Sequence, residues 1–517
     1  MFNLIIHYLF LECVLVSIII RIPQQYANIQ QGIDAAGGGD TVVVAPGIYR
    51  GTGNRDIDFQ GKPILLISDK GADSTIIDCE ADSSDPHRGI NFTRGEDSFS
   101  VVDGFNVTNG NAYGMDGNRG GAIYIDDCSP KILNCIFSYN TASMGGAVYS
   151  IYYGDPIIRN CWFHHNSSIH NGAGITLDGW TGAICEAEIS GNIFEYNTTG
   201  HSGAAIYANQ CRVSITDNII RYNTVSSTSY WGGGGICLWI GHYGSQQIVK
   251  NNLIYGNQAP TGGGIYIRYD GSLVANNTFF ENQSYLEGGA VYVLNQSIQI
   301  PQIRDCIIWN NFSLNSPYHQ IYLDPATGSS ANVSYCCIEN GWTGTGIIDY
   351  DPLFATGPNG EFYLSQTQAG QSGQSPCVDS GSNTSSTVGL ENLTTRTDHQ
   401  VDIGQVDLGY HYEVDSNPGS VQEPLPSPDR TNQIRFTDLG NRKYRVEFSL
   451  TQDQTVKIAI YDLCGRNLYT LIDQYLSGGN HQLEFWFNQF DLYASAIYFI
   501  RMTSSENNSS LKFLQIN

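Results

Sequence analysis

Through the middle of the chain, apolar and polar residues alternate in short runs, and each run is cut by Gly or Asn. Alternation of period two predicts strands, and the Gly and Asn between them predict tight turns. The runs recur. GGAIYI at 120 returns as GGAVYS at 145, GAGITL at 172, GAAIYA at 203, GGGICL at 233, GGGIYI at 262 and GGAVYV at 288, a period of about 25 to 31 residues. A second phrase keeps step with it: NCIFSYN at 134, NCWFHHN at 160, GNIFEYN at 191, DNIIRYN at 217, NNLIYGN at 251, NNTFFEN at 276 and DCIIWNN at 305. Units of this size, made of strands alone, cannot bury a face individually and must stack. The expected product is a solenoid of parallel strands, one coil per period, with equivalent residues of successive coils roughly 4.8 Å apart.

Reading the repeat in columns then amounts to reading the structure. Ile123, Val148, Ile175, Ile206, Ile236, Ile265 and Val291 form an inward column, with Ile125, Leu177, Leu238, Ile267 and Val293 two positions on. Between them Tyr124, Tyr149, Tyr207, Tyr266 and Tyr292 are expected to face outward. The last residue of the second phrase is always Asn: Asn140, Asn166, Asn197, Asn223, Asn257, Asn282 and Asn311. Stacked parallel strands favour such a column as a ladder of side-chain amides. The second position of the phrase alternates between Cys and Asn, and it would bring Cys135 near Cys161 and Cys306 near Cys336. Disulfides and free buried thiols are both compatible with that placement.

Outside the repeats the pattern changes. Residues 1–20 form an apolar run expected to be a signal peptide or anchor. Ile29 to Ala36 has a helical period, is ended by Gly37 to Gly39, and precedes a strand at Thr41 to Val44; a helix there would cap the first coil. Residues 346–415 lose the period and are expected to close the other end. A Pro, Ser and Glu linker at 416–432 leads to alternating strands with Gly turns over 433–517, the pattern of a small antiparallel sandwich.

Three resemblances attach to these residues. The GGA[IV] phrase followed by FxxN (Phe137 to Asn140, Phe163 to Asn166, Phe194 to Asn197, Phe279 to Asn282) resembles the repeats of chlamydial polymorphic outer-membrane proteins. The opening IPQQYANIQQGIDAAGGGDTVVVAPGIY with IIDCE is similar to the start of pectate-lyase-like right-handed parallel β-helix proteins. VKIAIYDLCGRNLYTLI, GGNHQLEFWF and SAIYFIRM resemble the C-terminal sorting domains of the type IX secretion system. Together they imply an all-β chain: a right-handed parallel β-helix solenoid with an N-terminal cap over 21–345, its C-terminal end over 346–415, and a β-sandwich sorting domain over 433–517. They also imply a bacterial protein, secreted or held at the cell surface, with the secretion machinery as a partner.

Composition narrows the function. Charged residues are only 14% of the chain and Gly numbers 57, which suits turn-dense β structure. With 25 basic against 49 acidic residues and a net charge of −24, nucleic acid is excluded as a partner. The 13 cysteines lack metal-ligand spacing, so no metal site is read from them. Of the galacturonase signatures only Asp126-Asp127 and loose GHSG at 200 and GHYG at 241 are present, and Asp85-Pro86-His87 resembles a uronan epimerase motif without its remainder.

Two sets of residues have the chemistry for catalysis. His164, Glu195 and Arg221 share one column of successive coils, an arrangement suited to acid-base work or equally to a charge ladder on a sheet. Asp126 and Asp178 share another column two coils apart, roughly 9 to 10 Å by the strand spacing, close to the separation of about 6.5 to 9.5 Å used by inverting glycosidases. They are equally compatible with two solvated aspartates. Calcium is a candidate cofactor, because calcium-dependent lyases set clustered acids beside a base, although the chain has only seven Lys. The expected function is an exported, adhesin-like β-helix that binds carbohydrate or a cell-surface partner through Tyr124, Tyr149, Tyr207, Tyr266 and Tyr292. The alternative is an extracellular polysaccharide lyase or glycoside hydrolase acting on uronic-acid-containing polysaccharide.

Overall fold

The computed structural model describes residues 17–414 except 180–184, 228–231, 242–245, 270, 296–299 and 316–318, and beyond them 435–438, 443–450, 453–461, 467–486, 497–504 and 510–515. The chain separates into two compact units between Asp415 and Ser416. The 416–432 linker and residues 1–16 of the apolar start lie outside the described residues. The final residues of that start are already in the fold, since Ile19–Ile22 is a strand paired in parallel with Thr41–Val44.

The first unit is a parallel β-helix. A representative coil runs Ile123–Asp126, Lys131–Leu133, Ile136–Ser138 and Thr141–Ala142, and each strand pairs in parallel with its equivalent in the next coil. The columns anticipated from the repeat are the observed registers: Ile123 pairs with Val148, Val148 with Ile175, and Ile175 with Ile206. The strands that follow the Cys or Asn turn belong to a sheet of 11 members that runs the length of the stack. One continuous aliphatic and phenylalanine core fills the coils, with Phe137, Phe163 and Phe194 stacked at 4.8 and 4.7 Å.

The paired glycines have separate reasons. The first, such as Gly120 or Gly145, sits at φ of 64° or 63°, a left-handed conformation that only Gly adopts without steric penalty. The second, Gly121, leaves no room for a side chain because a Cβ there would meet the backbone carbonyls of Gly146 and Thr141.

Two amide ladders run through the stack. Asn140, Asn166, Asn197, Asn223, Asn257, Asn282 and Asn311 are buried, and each Nδ2 donates to the Oδ1 of the next at 2.9 to 3.0 Å. The same Oδ1 atoms accept from backbone N–H groups, as Asn197 does from Asn166 at 3.1 Å. Gln320 ends the ladder by accepting from Asn311. A second ladder joins Asn192, Asn218, Asn252 and Asn277 at 2.9 to 3.0 Å. It occupies the position where Cys and Asn exchange, so more than small size is selected there.

At the N-terminal end the helix Ile29–Ala35 buries Ile29 and Ile33 in the common core and is capped by Asn28, whose side chain accepts from the Gln31 N–H. The segment after the last coil behaves differently from expectation. Trp342 and Ile347 pack on the end of the core, but residues 352–413 turn back along the flank. Gly409 N–H donates to Asp305 O, Tyr410 N–H to Thr278 Oγ1, and His411 N–H to Asn251 Oδ1, one bond per successive coil. Tyr363, Tyr410 and Tyr412 pack there with Leu253. The exposed aromatic and aliphatic residues of the later coils thus gain cover that a pure end cap would not provide.

The second unit has two small antiparallel sheets. Arg435–Asp438, Lys443–Leu450 and Gly479–Trp486 form one; Asn467–Leu476, Gln454–Tyr461, Ile497–Ser504 and Ser510–Gln515 form the other. Val446, Phe448 and Phe485 of the first meet Val456, Ile458 and Ile460 of the second in one core, a sandwich.

The Asn197→Ala variant removes both ladder bonds of one rung, takes its side-chain donor from the Phe163 carbonyl and leaves the Asn166 N–H without its acceptor. It is expected to cost about 3 kcal/mol or more in denaturant unfolding of the full chain, whereas Thr198→Ala, on the exposed side of the same turn, is expected to stay within about 0.5 kcal/mol.

Candidate functional site

The tyrosine column at the GG phrase stands outside the core as expected, yet it is not an open surface. Tyr149, Tyr207, Tyr266 and Tyr292 are buried, and only Tyr124 is half-exposed. Their faces are occupied: Tyr124 stacks on Tyr149, Tyr266 on Tyr292, and Trp239 stands between Tyr207 and Tyr266. Arg88, Arg119 and Arg268 lie over Tyr124, Tyr149 and Trp239 at 4.8, 5.0 and 3.9 Å. A sugar ring needs an uncovered aromatic face, so the expectation of carbohydrate stacking at these five tyrosines is corrected: period two distinguishes inside from outside, and neighbouring coils cover the outside here.

Asp126 and Asp178 do share a column, through the partners Asp126 with Ile151 and Ile151 with Asp178. Each is held by the tyrosine stack. Tyr124 Oη donates to Asp126 at 3.2 Å, and Tyr149 Oη to Asp178 at 2.9 Å, with Asn209 on the other Asp178 oxygen at 2.8 Å. Burial, reinforced by Asp126, pushes the Tyr124 hydroxyl up to about 12, so it stays a donor.

His164, Glu195 and Arg221 are also in register. The structure joins only two of them. Glu195 is 1% exposed, accepting from Arg221 Nε at 2.6 Å and Trp162 Nε1 at 3.0 Å, and Arg221 also reaches the Tyr255 hydroxyl at 2.9 Å. Both carboxylate oxygens are engaged and closed to solvent, which corrects the expectation that Glu195 serves as an acid or base. His164 packs on Trp162 instead and meets His165 through their Nδ1 atoms at 3.1 Å. Burial, then the neighbouring imidazole, lowers His164 to about 4.

One residue further on lies a ridge that the column reading passed over. Tyr139, His165, Tyr196 and Tyr222 stack in sequence at 5.1, 5.4 and 5.4 Å. Tyr139 is 58% exposed, His165 and Tyr196 are exposed, and Tyr222 is half-buried. All four are held at φ of 55° to 56°, the left-handed region. Two positions beyond them Thr141, Ser167, Thr198 and Thr224 form a parallel row of hydroxyls, with Ser167 donating to Thr141 at 2.9 Å. The signal was available: an aromatic or imidazole ring directly before the ladder Asn in four consecutive repeats.

Of the loops around this flank, His201 in TGHSG packs on His170, while residues 228–231 and 242–245, with Trp231 and His242, lie outside the described residues. A second polar cluster sits near the start, where His87 lies 2.5 Å from Asp56 and 3.1 Å from Asp85. Among the described residues no group of three or more His, Cys, Asp or Glu is arranged to hold a metal ion.

His164 is depressed from its ordinary value of 6.5, so its contribution to stability is complete above about pH 6.5 and is lost as pH falls through about 4. Melting temperature measured across this window is expected to fall more steeply for the native chain than for His164→Phe.

The sequence matches the right handed beta helix region family over residues 54–239 and 184–352. No curated protein matches it. Among solved structures, pectate lyase Pel9A is similar at 15% identity over 76% of this chain and 97% of its own, with a TM-score of 0.45. Tailspike protein gp49 of Acinetobacter baumannii bacteriophage Fri1, a capsular polysaccharide depolymerase, is similar at 10% identity over 97% of this chain and 82% of its own, with a TM-score of 0.21. With the family matched over more than half its length and successive coils paired in parallel, the chain belongs to the right-handed parallel β-helix proteins.

Proposed function

We propose that this is an exported, surface-displayed β-helix that binds a polysaccharide along the ridge Tyr139, His165, Tyr196 and Tyr222. The observation that supports it is the left-handed backbone under these rings. A bulky residue in that conformation costs roughly 1–2 kcal/mol, and later coils place Gly256, Glu281 and Asn310 at the equivalent turn. Stacking returns about 0.5–1.5 kcal/mol per pair, so fold stability alone gives little reason for rings here. Residues held at a conformational cost point to function.

The ridge suits a sugar chain. The exposed Tyr139, His165 and Tyr196 stand beside the Thr and Ser row, offering apolar and hydrogen-bonding contacts on successive coils. Tyr139 ends the stack, because the preceding coil brings Asn109 to the equivalent position, and its outer face is the most open. The Glu195 and Arg221 charges beneath cancel, which favours a neutral glycan over a uronate. Export rests on the resemblance of residues 433–517 to sorting domains.

A second function is favoured by one observation: Asp126 and Asp178 share a column with tyrosine hydroxyls on both. On that basis the protein would be a lyase or hydrolase.

Affinity electrophoresis of the full chain against neutral and acidic polysaccharides is expected to show retention on a neutral one, weakened about 2- to 10-fold by Tyr139→Ala or Tyr196→Ala and unchanged by Tyr207→Phe. Release of reducing ends or unsaturated uronides, lost on Asp178→Asn, would instead establish the enzyme. Surface labelling of intact cells, lost when 433–517 is deleted, checks export.

A further inference from the structure

We propose that eight buried cysteines close four disulfides as the chain folds: Cys135 with Cys161, Cys185 with Cys211, Cys306 with Cys336, and Cys337 with Cys377. This goes beyond glycan binding and does not depend on it.

Cys185 and Cys211 are direct register partners in adjacent strands. Cys135 and Cys161 precede the paired residues Ile136 and Trp162, and the Cys135 N–H lies 3.4 Å from Cys161 Sγ. Cys306 and Cys336 repeat that arrangement, again at 3.4 Å. Register neighbours stand roughly 4.8 Å apart, inside the Cα separation of about 4.4–6.8 Å that a disulfide spans. The fourth pair differs in kind, joining the last coil to the returning segment inside one small core. In all four the partner thiol is among the groups that raise one sulfur above its ordinary range.

The placement within the amide ladder strengthens the case. Asn192, Asn218, Asn252 and Asn277 tie four successive coils together. At both ends of that row the same position carries Cys, at 135 and 161 and at 306 and 336, so the side-chain amide link between coils is lost there. A disulfide restores a link at those places. Three other buried cysteines lack this arrangement: Cys128 bonds the Glu96 carboxylate, Cys237 lies between tyrosines in its column, and Cys79 is buried beside Asp78.

One thiol of each pair is raised far above its ordinary range, Cys161 and Cys336 chiefly by burial, Cys185 and Cys377 first by the partner thiol and then by burial, which makes these folded thiols poor nucleophiles. Closure therefore belongs to folding. A thiolate attacks a disulfide X–S–S–X supplied by a small-molecule or protein oxidant, releasing X–SH. The second cysteine thiolate then displaces the other X–SH, so two electrons and two protons leave the pair with the reduced oxidant.

The test is refolding of the full chain in a glutathione redox buffer and, in parallel, under a thiol reductant, followed by alkylation in denaturant and non-reducing peptide mapping. The expected map contains the four linked peptide pairs, leaves Cys79, Cys128 and Cys237 alkylated, and accompanies a melting temperature raised by about 5 °C or more over the reduced protein. Cys211→Ser should free Cys185 alone and leave the other three links intact. Alkylation of all eight thiols after oxidative refolding, or links scrambled onto Cys79, Cys128 or Cys237, would overturn the proposal.

Discussion

The side-chain amide ladder inside the coils is the constraint on which the rest of the molecule depends. Every Asn from Asn140 to Asn311 uses its Oδ1 to accept from the previous coil and its Nδ2 to donate to the next. A buried polar group must find partners, and here the side-chain partner is supplied by the neighbouring coil's Asn at the same turn in the same register, with backbone groups completing the set. A slip by one residue would strand the whole column. Register is therefore fixed by polar satisfaction as well as by the apolar columns around it.

Once register is fixed, spacing determines what the surface can do. Like residues on successive coils meet at strand distance, so rings stack and charges pair without further design. On the GG side this closes the surface, because Tyr, Trp and Arg side chains fill one another's open faces. On the Asn turn it leaves a ridge of rings standing out, with Glu195 and Arg221 neutralised beneath it. Groups engaged this fully are poor candidates for proton transfer; exposed rings at a conformational cost are good candidates for recognition.

Much of this was legible in the repeat. The inward columns, the first Asn ladder and the helix before the first coil follow from period, turn residues and the need to cover an open end. What period two cannot show is cover supplied by other coils. Tyr207 and Tyr266 point outward in sequence and are buried because Trp239, itself covered by Arg268, lies against them. The ridge escaped notice for the opposite reason: Tyr139 and Tyr196 occupy a turn, where alternation gives no direction, and only the left-handed backbone turns their rings to solvent. The path of residues 352–413 was illegible as well, since its bonds to Asn251, Thr278 and Asp305 are long-range and follow no period.

Hydrogen–deuterium exchange of the full chain, with and without a retained neutral polysaccharide, tests the account most directly. Protection is predicted over 139–142, 165–168, 196–199 and 222–225, one patch per coil in register along the ridge. Protection centred instead on 124–126, 149–151 and 176–178, with the ridge unchanged, would contradict it and return the site to the Asp126 and Asp178 face.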